Sequence, residues 1–427
     1  MMQEWFKDAK LGIFMHWGIY AVYGIAESWS FYNGEISYEE YMEQCKGFTA
    51  KKYDPKAWAE LFKKAGAKYA VLTAKHHDGV ALWDTKFSDL NVVKKTPAAR
   101  DLIGPYCEAM REAGLKVGLY FSHLDWSHPD NASIQHPDPT VFNLPFNKYT
   151  HPVGEDDYEA WERFLKFHRG QITELMTNYG KIDLLWFDGD WEKSAEQWRF
   201  AELREYLHKL NKDVIINSRM LGYGDYKTPE QGIPIIRPEG EWEFCVTMND
   251  SWGYVPTDHN YKSTRQIIRM FAECIGMGGN MLLDIGPLPD GTIAPEEEER
   301  LLELGKWIHK NQEAIYSTVA GLPPEHFYGA STLSKDRETL YLFLFDRPWD
   351  SFAVKGLHNN IKRISIVESG KELQYKKIGG APWANIPGVL WVNIDENDLD
   401  PYATVIKVEL DGPLNLYREE GHAISKN

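Results

Sequence analysis

Short apolar runs alternate with amphipathic segments along the first 320 residues. The runs carry few charges, which is typical of strands buried on both faces of a parallel sheet. The segments between them repeat apolar residues every three or four positions, and several end in glycine, as helices do. The pattern predicts strands at residues 11–16, 69–75, 117–122, 182–188, 214–217, 244–248 and 281–285, and helices at residues 55–65, 102–113, 156–178, 195–210 and 263–276.

These repeated strand–helix units predict the fold class of this part of the chain. A strand that is followed by a helix and a second strand gives parallel pairing. More than six such units in one stretch favour a closed (β/α)8-type barrel over an open doubly wound sheet, and the chain lacks a G-x-G-x-x-G fingerprint. No apolar run marks the eighth strand.

From about residue 321 the pattern changes to short alternating runs separated by turn residues. Strands are predicted at residues 339–345, 361–367, 389–392 and 404–410. This pattern indicates a C-terminal antiparallel β-sandwich. We therefore expect a catalytic (β/α)8-like barrel in residues 1–320 and a β-sandwich domain in residues 321–427.

Charge and cysteine usage exclude several classes of function. The formal net charge of −16 argues against a nucleic-acid partner, because phosphate binding needs clustered Lys and Arg. The four cysteines are isolated and lack zinc-site spacing, and we expect no metal and no cofactor. No apolar segment reaches the roughly 18 residues of a membrane span, so no membrane association is expected. The given sequence predicts a cytoplasmic protein. A periplasmic or secreted protein whose signal peptide has been removed would have the same sequence features.

Aromatic residues are frequent, with 16 Trp and 23 Tyr, and many of them lie beside Gly, His or acidic residues. An aromatic ring stacks on the apolar face of a sugar, whose hydroxyl groups need polar partners. The pattern favours a carbohydrate site, with an aromatic-rich core as the alternative.

Polar residues collect where the predicted strands end, which is where barrel enzymes carry their functional residues. In the fourth strand, Asp188 shares a face with Leu184 and Trp186 and arrives where the apolar run stops. A carboxylate beside an indole suits sugar chemistry, whereas a helix cap or a surface ion pair is the alternative for Asp188 taken alone. The other strand ends supply His16, His76, His77, Tyr120 and Arg219.

An ordered series of sequence blocks resembles the α-L-fucosidases of glycoside hydrolase family 29. The series runs from residue 5 to about residue 316, and this order makes it far more specific than any single motif. The resemblance implies a retaining exo-glycosidase that removes terminal α-L-fucose, with Asp188 as its nucleophile. The blocks are residues 12–18 (GIFMHWG), 27–29 (ESW), 75–79 (KHHDG), 185–189 (LWFDG), 251–254 (SWGY) and 278–287 (GGNMLLDIGP).

Retention also requires a second carboxylic acid that protonates the leaving oxygen. In this family the acid/base generally lies in a variable loop after the strand that bears the arginine, which here is residues 224–231. Glu230 is the predicted acid/base, and Glu241 and Glu243 are the alternatives.

The resemblance also implies a pocket for a terminal fucose of an oligosaccharide or glycoconjugate. Imidazoles and a glutamate can bond the sugar hydroxyl groups, while Trp186 and Trp252 can hold its methyl group and ring face. Regular strand geometry does not let the adjacent His76 and His77 both point inward. A homo-oligomer is compatible with the sequence. The predicted binding residues are His16, Glu27, Trp29, His76, His77, Tyr120, Trp186, Arg219 and Trp252.

Two other classes of function stay open at this point. A metal-dependent hydrolase on the same barrel would use His16, His76, His77 and Asp188 as ligands, but the H-x-H and H-E-x-x-H patterns are absent. A catalytically silent fucose-binding protein would keep the pocket without turnover. Retention of Asp188 and a nearby loop glutamate argues against it.

Overall fold

The computed structural model describes residues 2–141, 150–152 and 154–419. Seven parallel strands form one curled sheet in the order β5-β4-β3-β2-β1-β7-β6. All seven predicted strands are present, which confirms the (β/α)8-type architecture. The strands are β1 Leu11–Met15, β2 Tyr69–Lys75, β3 Lys116–Ser122, β4 Leu184–Asp188, β5 Ile215–Ile216, β6 Glu243–Thr247 and β7 Asn280–Ile285.

Helices connect the strands and include all the predicted ones. The predicted helix at residues 195–210 is two helices, because Arg199 adopts a left-handed conformation with φ +52° between them. The α-helices are α1 Glu4–Ala9, α2 Trp29–Tyr32, α3 Tyr38–Met42, α4 Pro55–Lys64, α5 Val92–Lys95, α6 Ile103–Glu112, α7 Tyr158–Asn178, α8 Ala195–Trp198, α9 Phe200–Leu210, α10 Thr264–Gly276 and α11 Pro295–Lys310. Short 3-10 helices lie at Ile19–Ala21, Glu43–Gly47, Gln312–Ala314, Pro324–His326, Pro382–Ala384 and Glu396–Asp398. Among the described residues, no helix is both long and apolar enough to cross a membrane.

Residues 225–231, here called the closing segment, take the place of the eighth strand. On one side the Asp225 N–H donates to the Ile216 carbonyl at 2.7 Å, and on the other the Cys245 N–H donates to the Pro229 carbonyl at 3.1 Å. The segment thus pairs in parallel with β5 and with β6, the two edge strands of the sheet. Pro229 has no N–H to donate, which keeps the pairing irregular.

Two antiparallel sheets follow the barrel, as predicted. One has five strands in the order β12-β15-β10-β9-β8 and the other has three in the order β11-β14-β13. They enclose an apolar core that includes Leu340, Ile364, Val392 and Val408. The four predicted strands are β10, β12, β14 and β15, and the division at residue 320 stays a prediction. The strands are β8 Thr318–Ala320, β9 Ala330–Ser334, β10 Thr339–Leu344, β11 Ser351–Val354, β12 Ile361–Ile366, β13 Tyr375–Ile378, β14 Val389–Asn393 and β15 Thr404–Leu410.

The buried side chain of Asn280 joins the start of the chain to β7. Its carbonyl oxygen accepts from the Lys10 N–H at 3.1 Å, and its amide group donates to the Phe6 carbonyl at 2.7 Å. These bonds satisfy a carbonyl group of α1 and the N–H of the residue between α1 and β1, and a buried backbone group that loses its partner is costly.

Replacing Asn280 by Ala should lower the free energy of unfolding by about 1–3 kcal/mol, because both backbone groups lose their partner. Urea unfolding followed by tryptophan fluorescence measures this change. Asn360→Ala is the control, since Asn360 is exposed and bonds only the surface residue Asp411, and it should cost less than about 0.5 kcal/mol. Equal stabilities of the two variants would contradict the proposed role of Asn280.

Glu297 lies buried in the first turn of α11, where its carboxyl group accepts from the Gly286 N–H at 3.0 Å. Burial raises the pKa of Glu297 from 4.5 to about 8. The stabilising contribution of the protonated group is therefore complete below pH 4.5 and is lost as the pH rises through about 8.

The free energy of unfolding of the wild type should fall relative to that of Glu297→Gln between pH 5 and 8, by up to about 1.4 kcal/mol per pH unit. Denaturant titrations at several pH values measure this difference. Glu298→Gln alters the exposed neighbour in the same helical turn and should follow the wild type. If the free energy of unfolding of Glu297→Gln depends on pH as that of the wild type does, Glu297 is not the source of the pH dependence.

Candidate active site

A cavity of about 340 Å³ opens at the carboxyl ends of the parallel strands. β4 ends in Asp188, and His16 and His76 directly follow β1 and β2. The rest of the wall comes from side chains on β1, β3 and β4, from the segments after β1, β4, β5 and β6, and from the closing segment. The lining residues are Phe14, His16, Glu27, Trp29, His76, Tyr120, Trp186, Asp188, Trp191, Arg219, Glu230 and Trp252.

All of the predicted site residues except His77 line this cavity. Phe14 and Trp191 also line it and were not among the predicted site residues. Phe14 lies two residues before His16 on β1, so strand alternation puts it on the same face. Trp191 follows the turn after Asp188, and its ring stacks on Trp29 with centroids 6.0 Å apart. The sequence positions of Phe14 and Trp191 relative to His16 and Asp188 could have predicted that both line the cavity.

Two side chains donate hydrogen bonds to the Asp188 carboxylate. The Tyr120 hydroxyl group donates to Oδ2 at 2.9 Å, and Arg219 Nη1 donates to Oδ1 at 3.1 Å. Burial raises the pKa of Tyr120 well above its usual value, so its hydroxyl group keeps its proton. The side chain of Asp188 is 15% exposed, which leaves its carboxylate accessible from the cavity. This arrangement orients a carboxylate that can act as a nucleophile.

Arg219 bridges the two predicted catalytic carboxylates. Its Nη2 donates to Glu230 Oε2 at 2.6 Å while Nη1 holds Asp188. Burial lowers the pKa of Arg219, but the charges of Asp188 and Glu230 raise it above its usual value. The Glu230 side chain is 39% exposed, so it lies nearer to solvent than Asp188. One guanidinium group therefore fixes both carboxylates at the cavity wall.

Two neutral histidines provide polar atoms in the wall. His16 Nδ1 lies 2.6 Å from Asp284 Oδ1, and His76 Nδ1 lies 2.7 Å from the Ser28 hydroxyl group. Burial lowers the pKa of both imidazoles well below the usual value. A neutral imidazole can both donate and accept hydrogen bonds, and the second ring nitrogen of each histidine remains for a ligand hydroxyl group.

Glu27 lies in the cavity wall and accepts a hydrogen bond from the backbone. Its Oε1 accepts from the Gly253 N–H at 2.7 Å, and this places it beside Trp252. Burial raises the pKa of Glu27. The carboxyl group ties the loop after β6 to the loop after β1, and both of these loops carry cavity-lining residues.

Aromatic rings form the apolar part of the wall. Trp186 packs against Phe14 at 5.0 Å and stacks on Tyr120 at 5.7 Å, both measured between ring centroids. Trp252 packs on His16 at 4.9 Å. Such a surface suits the methyl group and the apolar face of a deoxy-sugar.

His77 lies behind the cavity wall. It is fully buried, its Nδ1 is 2.6 Å from the Ser122 hydroxyl group, and its Nε2 is 3.6 Å from Asp188 Oδ2. The adjacent His76 lines the cavity instead. The two adjacent histidines thus point to different sides, as expected from regular strand geometry. Substrate binding by His77 stays a prediction.

The two alternative acids lie away from the cavity. Glu241 is paired with Lys7 at 3.8 Å, beyond the amino end of β6. Glu243 is fully buried inside the barrel, where its carboxyl group accepts from Tyr69 and Trp186. Of the three candidate acids, Glu230 is the one that lines the cavity.

The ligand set considered for a metal-dependent hydrolase is not assembled. Within the described part of the chain, no three His, Cys, Asp or Glu side chains are grouped so that they could hold a metal ion. His16 and His76 instead each use one ring nitrogen to bond Asp284 and Ser28.

Comparison with known proteins identifies the family. The family model described as α-L-fucosidase matches residues 1–313. The tissue α-L-fucosidase of Mus musculus is 31% identical over 345 residues, covering 74% of this chain and 72% of its own. The α-L-fucosidase of Branchiostoma floridae is also 31% identical, covering 74% of this chain and 73% of its own.

Solved structures agree in fold over nearly the whole length. α-L-Fucosidase isoenzyme 1 from Paenibacillus thiaminolyticus has a TM-score of 0.83 and 34% identity, with 96% of this chain and 98% of that chain covered. A family 29 α-L-fucosidase from Bacteroides thetaiotaomicron, solved as a trapped covalent intermediate with 2-fluoro-fucosyl fluoride, has a TM-score of 0.82 and 26% identity, with 95% of each chain covered. With the barrel, the cavity and these matches in agreement, the chain belongs to the α-L-fucosidases of glycoside hydrolase family 29.

Proposed function

We propose that this enzyme hydrolyses terminal α-L-fucosides of oligosaccharides or glycoconjugates with retention of configuration, through a covalent fucosyl-enzyme intermediate. Asp188 is the nucleophile and Glu230 the acid/base. The observation that carries the proposal is the shared guanidinium group of Arg219, which bonds both carboxylates. In retaining glycosidases the two catalytic carboxyl groups lie about 5–5.5 Å apart. Binding of both carboxylates by the two terminal nitrogens of one arginine is compatible with such a short distance.

In the first step, an Asp188 oxygen attacks the anomeric carbon as the bond to the leaving oxygen breaks. Glu230 gives its proton to that oxygen, so the leaving group departs as an alcohol. In the second step, Glu230 takes a proton from water, the water oxygen attacks the same carbon, and the bond to Asp188 breaks. Tyr120 and Arg219 hold the Asp188 carboxylate before attack and stabilise it as it leaves. The trapped intermediate of the Bacteroides relative supports this course.

The remaining wall residues hold the sugar in this proposal. His16, His76 and Glu27 exchange hydrogen bonds with its hydroxyl groups, and Trp29 lines the same cavity. Trp186 and Trp252 contact its methyl group and ring face. Every lining residue lies between positions 14 and 252, which supports residues 1–320 as the catalytic unit and residues 321–427 as an accessory domain.

Asp188→Gly should lower kcat by at least about a thousandfold, because the nucleophile is lost. Azide should restore part of the activity by entering the vacated space and attacking the anomeric carbon, and the fucosyl azide formed should have inverted configuration. Turnover of an aryl α-L-fucoside with and without azide measures both effects.

In the wild type, 2-fluoro-fucosyl fluoride should label Asp188, and peptide mass spectrometry identifies the labelled residue. A label on another residue, or inversion in the wild-type product, would refute the assignment.

Glu230→Ala should slow substrates with poor leaving groups by about 10²–10⁴-fold and leave activated aryl fucosides much less affected, because only the former need protonation. Glu230→Gln keeps an acceptor for Arg219 and separates lost acid catalysis from a displaced arginine. Glu241→Ala removes an acid outside the cavity and should leave both substrates unchanged. An equal loss for both leaving groups would argue that Glu230 is not the acid/base.

A further inference from the structure

Glu243 carries a carboxyl group inside the barrel, outside the cavity and unused by the proposed reaction. It opens β6 and is fully buried. Its Oε2 accepts from the Tyr69 hydroxyl group at 2.5 Å, and its Oε1 accepts from Trp186 Nε1 at 2.9 Å and from the Tyr226 hydroxyl group at 3.4 Å. The donors come from β2, β4 and the closing segment. Three converging donors indicate a site built for a carboxylate, since burying such a group without them would be costly.

The indole of Trp186 connects this buried carboxyl group to the active site. The guanidinium carbon of Arg219 lies 5.3 Å from the centre of the Trp186 ring. Tyr120 stacks on the same ring at 5.7 Å with an angle of 20° between the planes. Trp186 therefore contacts both of the side chains that donate hydrogen bonds to Asp188.

We propose that Glu243 is a positioning residue of the fucosidase reaction, which fixes the Trp186 indole and thereby places Arg219 and Tyr120 on Asp188. The hydrogen bond to the indole N–H sets the rotation of the ring. A negative charge at this N–H also makes the ring face richer in electrons, which strengthens its attraction for the guanidinium group. The inference depends on the proposed role of Asp188.

Glu243 also connects this positioning to pH. Burial raises the pKa of Glu243 to about 7, and the donors Tyr69, Trp186 and Tyr226 oppose that rise. Burial keeps Tyr69 and Tyr226 protonated by raising the pKa of both phenols well above the usual value, and it does the same for the neighbouring Cys245 thiol. Glu243 is the member of this group that titrates near neutrality. As the pH falls through about 7, the carboxylate is lost and with it the stronger bond to Trp186.

The test is Glu243→Gln, which keeps the shape and removes the charge. With an aryl α-L-fucoside, kcat should fall by about tenfold or more while KM changes by less than about twofold. In the wild type, part of the fall of kcat toward low pH should occur near pH 7. Glu243→Gln should lack this part of the pH dependence. An unchanged kcat and an unchanged pH profile would overturn the proposal.

Glu174→Gln is the matched control. Glu174 is also a buried glutamate that accepts from an indole, Trp83 Nε1 at 3.0 Å, but it lies on α7 and does not line the cavity. Its variant should keep the wild-type kcat and pH profile. If this variant loses kcat as much as Glu243→Gln does, the effect is one of general stability and the proposal fails.

A double-variant cycle with Trp186→Phe tests the route of the effect. The phenylalanine ring lacks the N–H, so Trp186→Phe alone should show the same change in pH profile, and Glu243→Gln should add less than about twofold to it. Additive losses would overturn the proposed route through Trp186. If Glu243→Gln does not fold, the pH profile of Trp186→Phe decides the question alone. Labelling by 2-fluoro-fucosyl fluoride keeps the two hypotheses apart, because a label away from Asp188 defeats the proposed nucleophile whatever these variants show.

Discussion

The pairing of the closing segment with both edge strands is the constraint on which the active site depends. The unpaired edges of β5 and β6 would leave backbone groups without partners, and residues 225–231 satisfy groups on each side. The same pairing sets the position of Glu230 at the cavity wall. Because Arg219 follows β5 and Glu230 lies near the end of the closing segment, the contact between them is a consequence of barrel closure.

Charge in the site is concentrated on a few groups, and burial shifts the pKa of other groups in the wall toward the uncharged form. The two histidines of the wall have lowered pKa values, and Glu27 has a raised one. Asp188 and Glu230 instead share the cation of Arg219. Neutral imidazoles can exchange hydrogen bonds with sugar hydroxyl groups without competing for the charge that develops at the anomeric carbon.

The sequence predicted the barrel strands because buried parallel strands are short, continuous apolar runs, and their ends identified most of the cavity. It did not indicate the closing segment, since Asp225, Lys227 and Pro229 break any apolar pattern. The strands β8, β9, β11 and β13 were missed because they are short, with three to five residues each, and β13 is exposed along its whole length. The choice among Glu230, Glu241 and Glu243 needed three dimensions, because the sequence does not show that Glu241 and Glu243 lie at the amino end of β6 while Glu230 lines the cavity at the carboxyl ends of the strands.

The neighbours of β1 have a consequence for how the chain folds. β1 pairs with β2 on one side and with β7 on the other, with Leu11 opposite Met281. During synthesis this strand is made before β7, so one of its flanks has no partner until some 270 later residues have been made. Contacts so distant along the chain slow folding, and an open flank attracts other strands in the meantime. We therefore expect the open flank of β1 to be the place where aggregation competes with folding during synthesis.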